Sequence, residues 1–442
     1  MDIGARLRHN GRVQRPRLWL LPLLLAVLVA GGWYFGVRSK AGDRELPVYV
    51  EGGQRMAAGE EIYRRGTDSK PFTYPPFAAV PFVPYGMLPA GWQAPLWFAL
   101  NFMLLLPILV WLHRSAGLGW TGAGPPRRGW LWLCVALLAG RHVFSVFENQ
   151  SNDMLVFAPA ALAIACAGRA ERWAGAASGA AAGVATAIKA TPLLFAEWFV
   201  FGRRFGALAA VVATAALLSL APDWCWPRSD GRSWAMVWFD VNLRGLAVGG
   251  TAAAAGAWDP HSILNQSLSG SLTRLLSQPA TTGKFVVPEV ALLDLPVGVL
   301  RAVIVLGQLA VVAAIAWGAL RARTAVRAAG GGAAAELRRA ALGAGSLVLC
   351  GMLLLSPQSS KSHFCVLLVP AVFCLDRLLR TRRDGALIGL VVAAALLGAG
   401  SAKGLIGTRA GNLVLGAGAV TWSTMCMLAA SLRALRPPGG TP

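Results

Sequence analysis

In a chain with only 20 acidic residues among 442, Asp43, Glu45, Glu51, Glu60 and Glu61 fall in one short stretch. An ionised carboxylate can take a proton from a hydroxyl, which is the work of a general base. Asp43 and Glu45 stand just before Pro47, a residue suited to the first turn of a helix. The positive end of a helix keeps nearby carboxylates ionised. Leu46, Tyr49, Val50, Gly53, Met56 and Ala57 then recur at i, i+3, i+4 spacing, with Glu51, Arg55, Glu60 and Glu61 on the other face. The pattern predicts an amphipathic helix on the membrane surface, apolar side down. On this reading Glu51, Glu60 and Glu61 form its wet face, and Asp43 and Glu45 are the candidate bases.

Other polar groups sit where apolar runs end. In KPFTYPPF, Pro75 and Pro76 bar a helix through Tyr74 and hold it rigidly. FENQSNDM places Glu148, Asn149, Gln150, Asn152 and Asp153 at the end of an apolar run; Asn and Gln carry the paired donors and acceptors that suit sugar hydroxyls. Arg141, His142 and Lys189 lie within apolar runs, where an ionisable group faces a cavity or a partner. Cations there would suit a lipid-linked phosphate, and snorkelling or pairing with Glu148 is the plain alternative. LSPQSSKSHF sets Lys361 and His363, both able to bind phosphate, in a short loop. Asn265 opens NQSL, which also reads as an N-x-S sequon.

These groups must be positioned by a membrane fold. The chain is 56% hydrophobic and only 14% charged, where an ordinary globular chain is about a quarter charged. Apolar runs of spanning length recur throughout. The net charge of +21 comes largely from basic clusters between those runs, which is the positive-inside pattern. No basic helix with an aromatic base-stacking platform appears, so nucleic acid is not an expected partner. Most of the seven cysteines lie in apolar runs and no CxxC occurs, which argues against a disulfide framework or thiolate metal site. Five histidines argue against a His-based metal site, and no Walker, GxSxG or HExxH motif appears. No metal and no cofactor are expected.

Arg6, Arg8, Arg12, Arg15 and Arg17 hold residues 1–17 in the cytoplasm ahead of a first span at 18–37. Further spans are predicted near 91–112, 129–147, 154–168, 205–221, 297–320, 340–356, 364–376, 385–400 and 412–432. Between them, 174–204 has basic ends and a break at Lys189, Thr191 and Pro192, which predicts a broken hairpin turning within the protein. The expectation is an all-α polytopic membrane protein of about 10–12 transmembrane helices or half-helices. It forms one domain over 18–436, with outer segments at 38–90 and 222–296 and a cytoplasmic tail at 437–442.

The order of motifs adds to this. An outer acid just after the first span is followed by VY, GEEIY and FTYPPF, then NQSND, then AGVATAIKATPLLF ahead of a basic pair, then NQSL and LSPQSSKSHF. In that order, over nearly the whole chain, the motifs resemble the polytopic glycosyltransferases of family 87, in the GT-C superfamily. The resemblance implies a multi-pass membrane transferase using a polyprenyl-phosphate sugar, most often mannose. Its acceptor would be a glycolipid or polysaccharide. Its active site would lie on the extracytoplasmic face of the cell membrane, with inversion at the sugar carbon and a first-loop carboxylate as base. No nucleotide sugar and no Rossmann domain are implied.

The family's Asp before x-x-Val-Tyr is Glu45 here, with Asp43 two residues earlier. Either carboxylate can serve, and Glu45 holds the matching position. The resemblance further implies that Tyr74 and its prolines shape the donor pocket. Lys189, Lys361 and His363 would hold the leaving phosphate, with Arg141 a further cation. Tyr49, Asn149, Gln150, Asn152 and Asn265 would meet the substrates. A transporter or flippase of lipid-linked sugar is the alternative; it predicts two related halves, and no internal repeat is evident.

Overall fold

The computed structural model describes residues 26–34, 44–63, 71–116, 125–244, 258–280, 283, 285–330, 334–380 and 384–436. Among them the architecture is all-α, and the only β pairing is an isolated bridge between Ser262 and Val286. Five helices are long and apolar enough to cross a membrane: Ala90–Ser115, Gly129–Asn149, Phe205–Cys225, Val297–Ala328 and Ala334–Leu355. A sixth candidate is the pair Thr408–Gly416 and Ala419–Ala434, bent by 53°. Asp153–Ala167, Ala174–Ile188, Thr191–Phe201 and Gly385–Gly400 are shorter apolar helices. The protein is a multi-pass membrane protein. Asp43, residues 1–17, the tail 437–442 and most of the span expected at 18–37 lie outside the described residues.

The Ala334–Leu355 helix is the centre of the bundle. Every residue from Ala340 to Leu354 is buried, so it is apolar all round, as a central helix must be. At one end it runs into the loop 356–367, which turns back through a short 3-10 turn, His363–Leu367, into Leu368–Arg380.

The expected broken hairpin is present. Ala174–Ile188 ends at Lys189, whose backbone is extended (φ −147°, ψ 129°), and Thr191–Leu194 forms a 3-10 turn before Phe195–Phe201. Gly179 and Gly183 explain how the first arm is held. A Cβ on Gly179 would lie 2.1 Å from the Ala207 carbonyl oxygen, and one on Gly183 would lie 2.7 Å from Thr214. These glycines, four apart on one face, let Ala174–Ile188 press against Phe205–Cys225, the small-residue packing that membrane helices use. Close packing of this arm fixes where Lys189 emerges.

The amphipathic helix spans Leu46–Ala57, and it differs from the expectation in two ways. It ends at a turn in which Gly59 takes φ +69°, a left-handed C-terminal stop, so Glu60 and Glu61 lie beyond it. Its apolar face is covered by protein: Tyr49 is 1% exposed and Met56 fully buried. A Cβ on Gly53 would strike the Phe82 backbone at 2.3 Å, so that glycine seats the helix on the turn after PPF. Glu61 is not a wet-face residue either. It accepts from Arg228, in the segment 222–296, at 3.0 Å, and Arg228 also grips Asp230. Glu51 pairs with Arg55 along the helix.

Candidate active site

Three segments distant in sequence converge at one end of the bundle: the start of the 46–57 helix with Tyr74, the turn 148–153, and the loop 356–363. The convergence is built from backbone bonds. Glu45 N–H donates to Asn149 O at 3.1 Å, and the Arg44 guanidinium donates to Glu148 O. Gln150 takes a left-handed conformation, φ +52°, and its carbonyl accepts from the Trp97 indole at 3.0 Å. The Gly129–Asn149 helix thus stops abruptly, and Asn152 and Asp153 open the next helix.

Glu45 sits at the N-cap position, but its carboxylate makes no cap bond. It accepts instead from the Tyr49 hydroxyl at 2.6 Å, one helical turn on. Burial, and then the neighbouring Glu45 charge, hold the Tyr49 phenol well above its ordinary pKa, so it remains a donor. Its hydroxyl lies 3.4 Å from that of Tyr74. Phe82 and Trp97 pack against the Tyr49 ring at centroid distances of 5.2 and 6.5 Å. Tyr74 lies within the fields of two carboxylates, Glu45 and Asp153; burial first, then those charges, raise its pKa.

Beyond Tyr74 lies a cluster of ionisable groups. Lys189 Nζ lies 5.8 Å over the Tyr74 ring and 3.3 Å from Asp153 Oδ1. His363 Nε2 is 3.8 Å from the same Asp153 oxygen, and Ser151 Oγ donates to the other. The Ser360 N–H donates to His363 Nδ1 at 3.1 Å, which fixes the neutral tautomer with its proton on Nε2. Burial draws the His363 pKa down to about 4, so the imidazole is neutral at pH 7. Lys361, half exposed, lies 3.8 Å from Glu148, and its carbonyl meets His142 Nδ1 at 3.0 Å.

Asp153, Lys189, Thr191, Ser356, Ser359 and His363 form the polar wall of one cavity. Thr191 and Met352 line it and also an adjoining groove, walled by Leu193, Leu194 and Leu355 and ending at Glu197. Polar cavity and apolar groove therefore lie side by side, with Thr191 and Met352 common to both.

The remaining sequence candidates are placed differently. Arg141 turns away, donating to Gly398 O and Ser401 Oγ; it does not make the alternative pairing with Glu148, whose carboxylate lies 3.8 Å from Lys361. Asn265 is committed to backbone. Its Nδ2 donates to Pro357 O at 2.9 Å, and its Oδ1 accepts from Ser267 N and Ser359 N at 3.0 Å. With Gln266 N donating to Ser359 O at 2.8 Å, it pins the 356–363 loop. Asn149 Nδ2 donates to Ser145. Asn152 is 1% exposed, and neither polar atom of its amide has a partner. Asp153 is the residue that sequence reasoning left out of the site; FENQSNDM contained it, but no local spacing ties it to Lys189 or His363.

Comparison with known proteins bears on this arrangement. The profile of glycosyltransferase family 87 matches residues 72–357, well over half of the chain. The chain belongs to glycosyltransferase family 87. Similar proteins include a polyprenol-phosphate-mannose-dependent alpha-(1-2)-phosphatidylinositol pentamannoside mannosyltransferase from Mycolicibacterium smegmatis. It is 30% identical over 286 residues, 63% of this chain and 63% of that protein. The match thus spans somewhat less than two thirds of that relative's length. The protein of the same name from Mycobacterium tuberculosis is 26% identical over 392 residues, 87% of this chain and 78% of its own. Among solved structures, ArnT from Cupriavidus metallidurans bound to undecaprenyl phosphate aligns at 19% identity with a TM-score of 0.40, covering 95% of this chain and 77% of that one.

Proposed function

We propose that this protein is a polyprenyl-phosphate-sugar-dependent glycosyltransferase, transferring mannose to an acceptor hydroxyl on the extracytoplasmic face of the cell membrane. The observation that carries the reading is a partly buried, aromatic-backed carboxylate, Glu45, joined through Tyr49 and Tyr74 to a cavity walled by Lys189, Asp153 and His363, which shares Thr191 and Met352 with an apolar groove. The names of the family relatives support polyprenol-phosphate mannose as the donor.

In the proposed reaction the acceptor oxygen attacks the anomeric carbon from the face opposite the phosphate. A new C–O glycosidic bond forms, the C–O bond to phosphate breaks, and the configuration inverts. Glu45 takes the hydroxyl proton. Tyr49, a permanent donor, holds the carboxylate in place and limits its basicity. Polyprenyl phosphate leaves with the electron pair and gains negative charge. Lys189 supplies a fixed positive charge where that charge grows, the kind of preorganised stabilisation that lowers barriers most. Asp153 holds Lys189 in position, Lys361 offers a second cation at the rim, and His363 donates through Nε2 as a neutral imidazole.

The apolar groove beyond Thr191 accommodates the start of the isoprenoid chain. Asn152, an amide costly to bury unpaired, is proposed to bond a sugar hydroxyl. Asn149 and Gln150 contribute through the backbone they fix, and Asn265 through the loop it anchors. Asp43 remains the competing base. The fold is proposed to act as one membrane domain over 18–436.

The test is transfer by the purified protein in liposomes, supplied with radiolabelled polyprenyl-phosphate mannose and a mannolipid acceptor. Label in a new, alkali-stable glycosidic product supports the reading. Label that crosses the bilayer while still on the donor lipid identifies a transporter and sinks it.

A further inference from the structure

A second polar cavity, of about 240 Å³, lies at the opposite end of the same helices. Ala340, which lines it, and Met352, which lines the candidate active site, lie on one helix, about 18 Å apart at 1.5 Å per residue. Arg203, Arg204, Arg323 and Arg327 ring the cavity, and Trp198, Ala319, Ala322 and Val326 give it apolar walls.

Its electrostatics are one-sided. Arg323 feels the positive charges of Arg327 and Arg203. Arg323 and Arg327 are four residues apart on a helix, a spacing at which like charges weaken the helix. Among the described residues no carboxylate pairs with Arg203, Arg323 or Arg327, although nearby Arg339 is paired with Glu336 at 3.6 Å. Arg204 is already held, donating to Ala167 O at 2.9 Å and lying 5.7 Å over the Trp198 ring. Arg203 takes φ +54° in the turn between two helices, a conformation uncommon outside glycine. The positive-inside rule accounts for basic residues at this end of the bundle. It does not account for three unpaired guanidinium groups converging on one cavity whose other walls are apolar.

We propose that this cavity binds the phosphate headgroup of an anionic phospholipid from the leaflet opposite the active site. Guanidinium groups suit phosphate oxygens, which they can meet with paired N–H donors. The small side chains of Ala319 and Ala322 leave the room, and Trp198 and Val326 line the start of an acyl chain. The ligand is amphipathic because the walls are: a free phosphate ion would leave the apolar half unused. Basic pockets between membrane helices hold lipid headgroups by this combination of charge and burial. The inference is independent of the transfer reaction, because none of these arginines borders the candidate active site.

The experiment is native mass spectrometry of the purified full-length protein titrated with phosphatidylglycerol or phosphatidylcholine. The wild type retains phosphatidylglycerol in preference. Arg323→Gln with Arg327→Gln weakens that retention about 10- to 30-fold, the loss expected for two basic residues. A charge-matched control, Arg301→Gln with Arg321→Gln, leaves it unchanged; Arg321 stacks on Trp317 away from the cavity. Arg203→Asn, which tolerates the left-handed turn, provides a second lesion should the double variant fold poorly, and it too lowers retention. Equal retention of the two lipids, or equal loss in the control pair, overturns the proposal. So does displacement of phosphatidylglycerol by an equal concentration of inorganic phosphate, which would mark a free-anion site.

Discussion

Among the described residues, Lys189 and Asp153 form the one ion pair that borders the candidate cavity with both side chains largely buried, 15% and 5% exposed, at 3.3 Å. At an effective dielectric of about 20 this separation is worth roughly 5 kcal/mol of Coulomb attraction. Desolvating the two charges offsets much of it, so the pair adds little net stability, yet removing one partner strands the other and costs about 3–5 kcal/mol. Lys189→Met leaves Asp153 with neutral partners, His363, Ser151 and Ser362, and lowers the thermal midpoint. Adding Asp153→Asn removes the stranded charge and restores most of that loss. Activity separates from stability here. If Lys189 stabilises the departing phosphate, transfer falls about 10²- to 10³-fold in Lys189→Met and stays down in the refolded double variant. The assay is the thermal midpoint in detergent beside the initial rate of sugar transfer for wild type, both single variants and the double. A double variant that regains both stability and rate refutes the reasoning and makes the pair purely architectural.

Further outcomes follow from the same geometry. Tyr49→Phe removes a hydrogen bond to a charged group, worth about 1.5–3 kcal/mol; kcat is expected to drop roughly 10- to 100-fold with KM nearly unchanged, read from steady-state rates. Glu45→Asp withdraws the carboxylate by about 1.5 Å and is expected to slow transfer about 100-fold; a rate equal to wild type contradicts the placement of the base. His363 takes up its proton near pH 4 when folded and near 6.5 when unfolded. The unfolded state therefore binds more protons in between, and stability falls as pH drops from 6.5 towards 4, by up to about 3 kcal/mol. His363→Gln flattens that slope in thermal midpoints; a parallel loss in wild type and variant contradicts the buried neutral imidazole. Asn265→Ala removes three hydrogen bonds to the backbone, costs about 2–4 kcal/mol, and exposes the 356–363 loop to limited proteolysis.

Much of the fold was legible because apolar runs in a membrane chain have few alternatives to helix. The break at Lys189 was readable from charge on both flanks and Pro192. The end of the 46–57 helix was readable too, since Gly59 is a stop signal, but the periodic acids beyond it carried the pattern too far. The burial of that helix was not readable: whether its apolar face meets lipid or Phe82 depends on a turn some thirty residues downstream. Site residues on one local motif, such as Glu45 with Tyr49, follow from helical spacing. Asp153 with Lys189 does not, because their contact depends on how Gly179 and Gly183 dock one arm of the hairpin. Arg141 and Asn265 show the converse, since a polar residue in an apolar setting often serves the backbone around it.

The central claim is that Glu45 is the base of a transferase fed by a polyprenyl-phosphate sugar. It is tested most directly by transfer from radiolabelled polyprenyl-phosphate mannose in Glu45→Gln and Asp43→Asn, each reconstituted at equal protein. Glu45→Gln is expected to lose at least 10²-fold, and Asp43→Asn to transfer at close to the wild-type rate. Full activity in Glu45→Gln, or loss confined to Asp43→Asn, would contradict the claim.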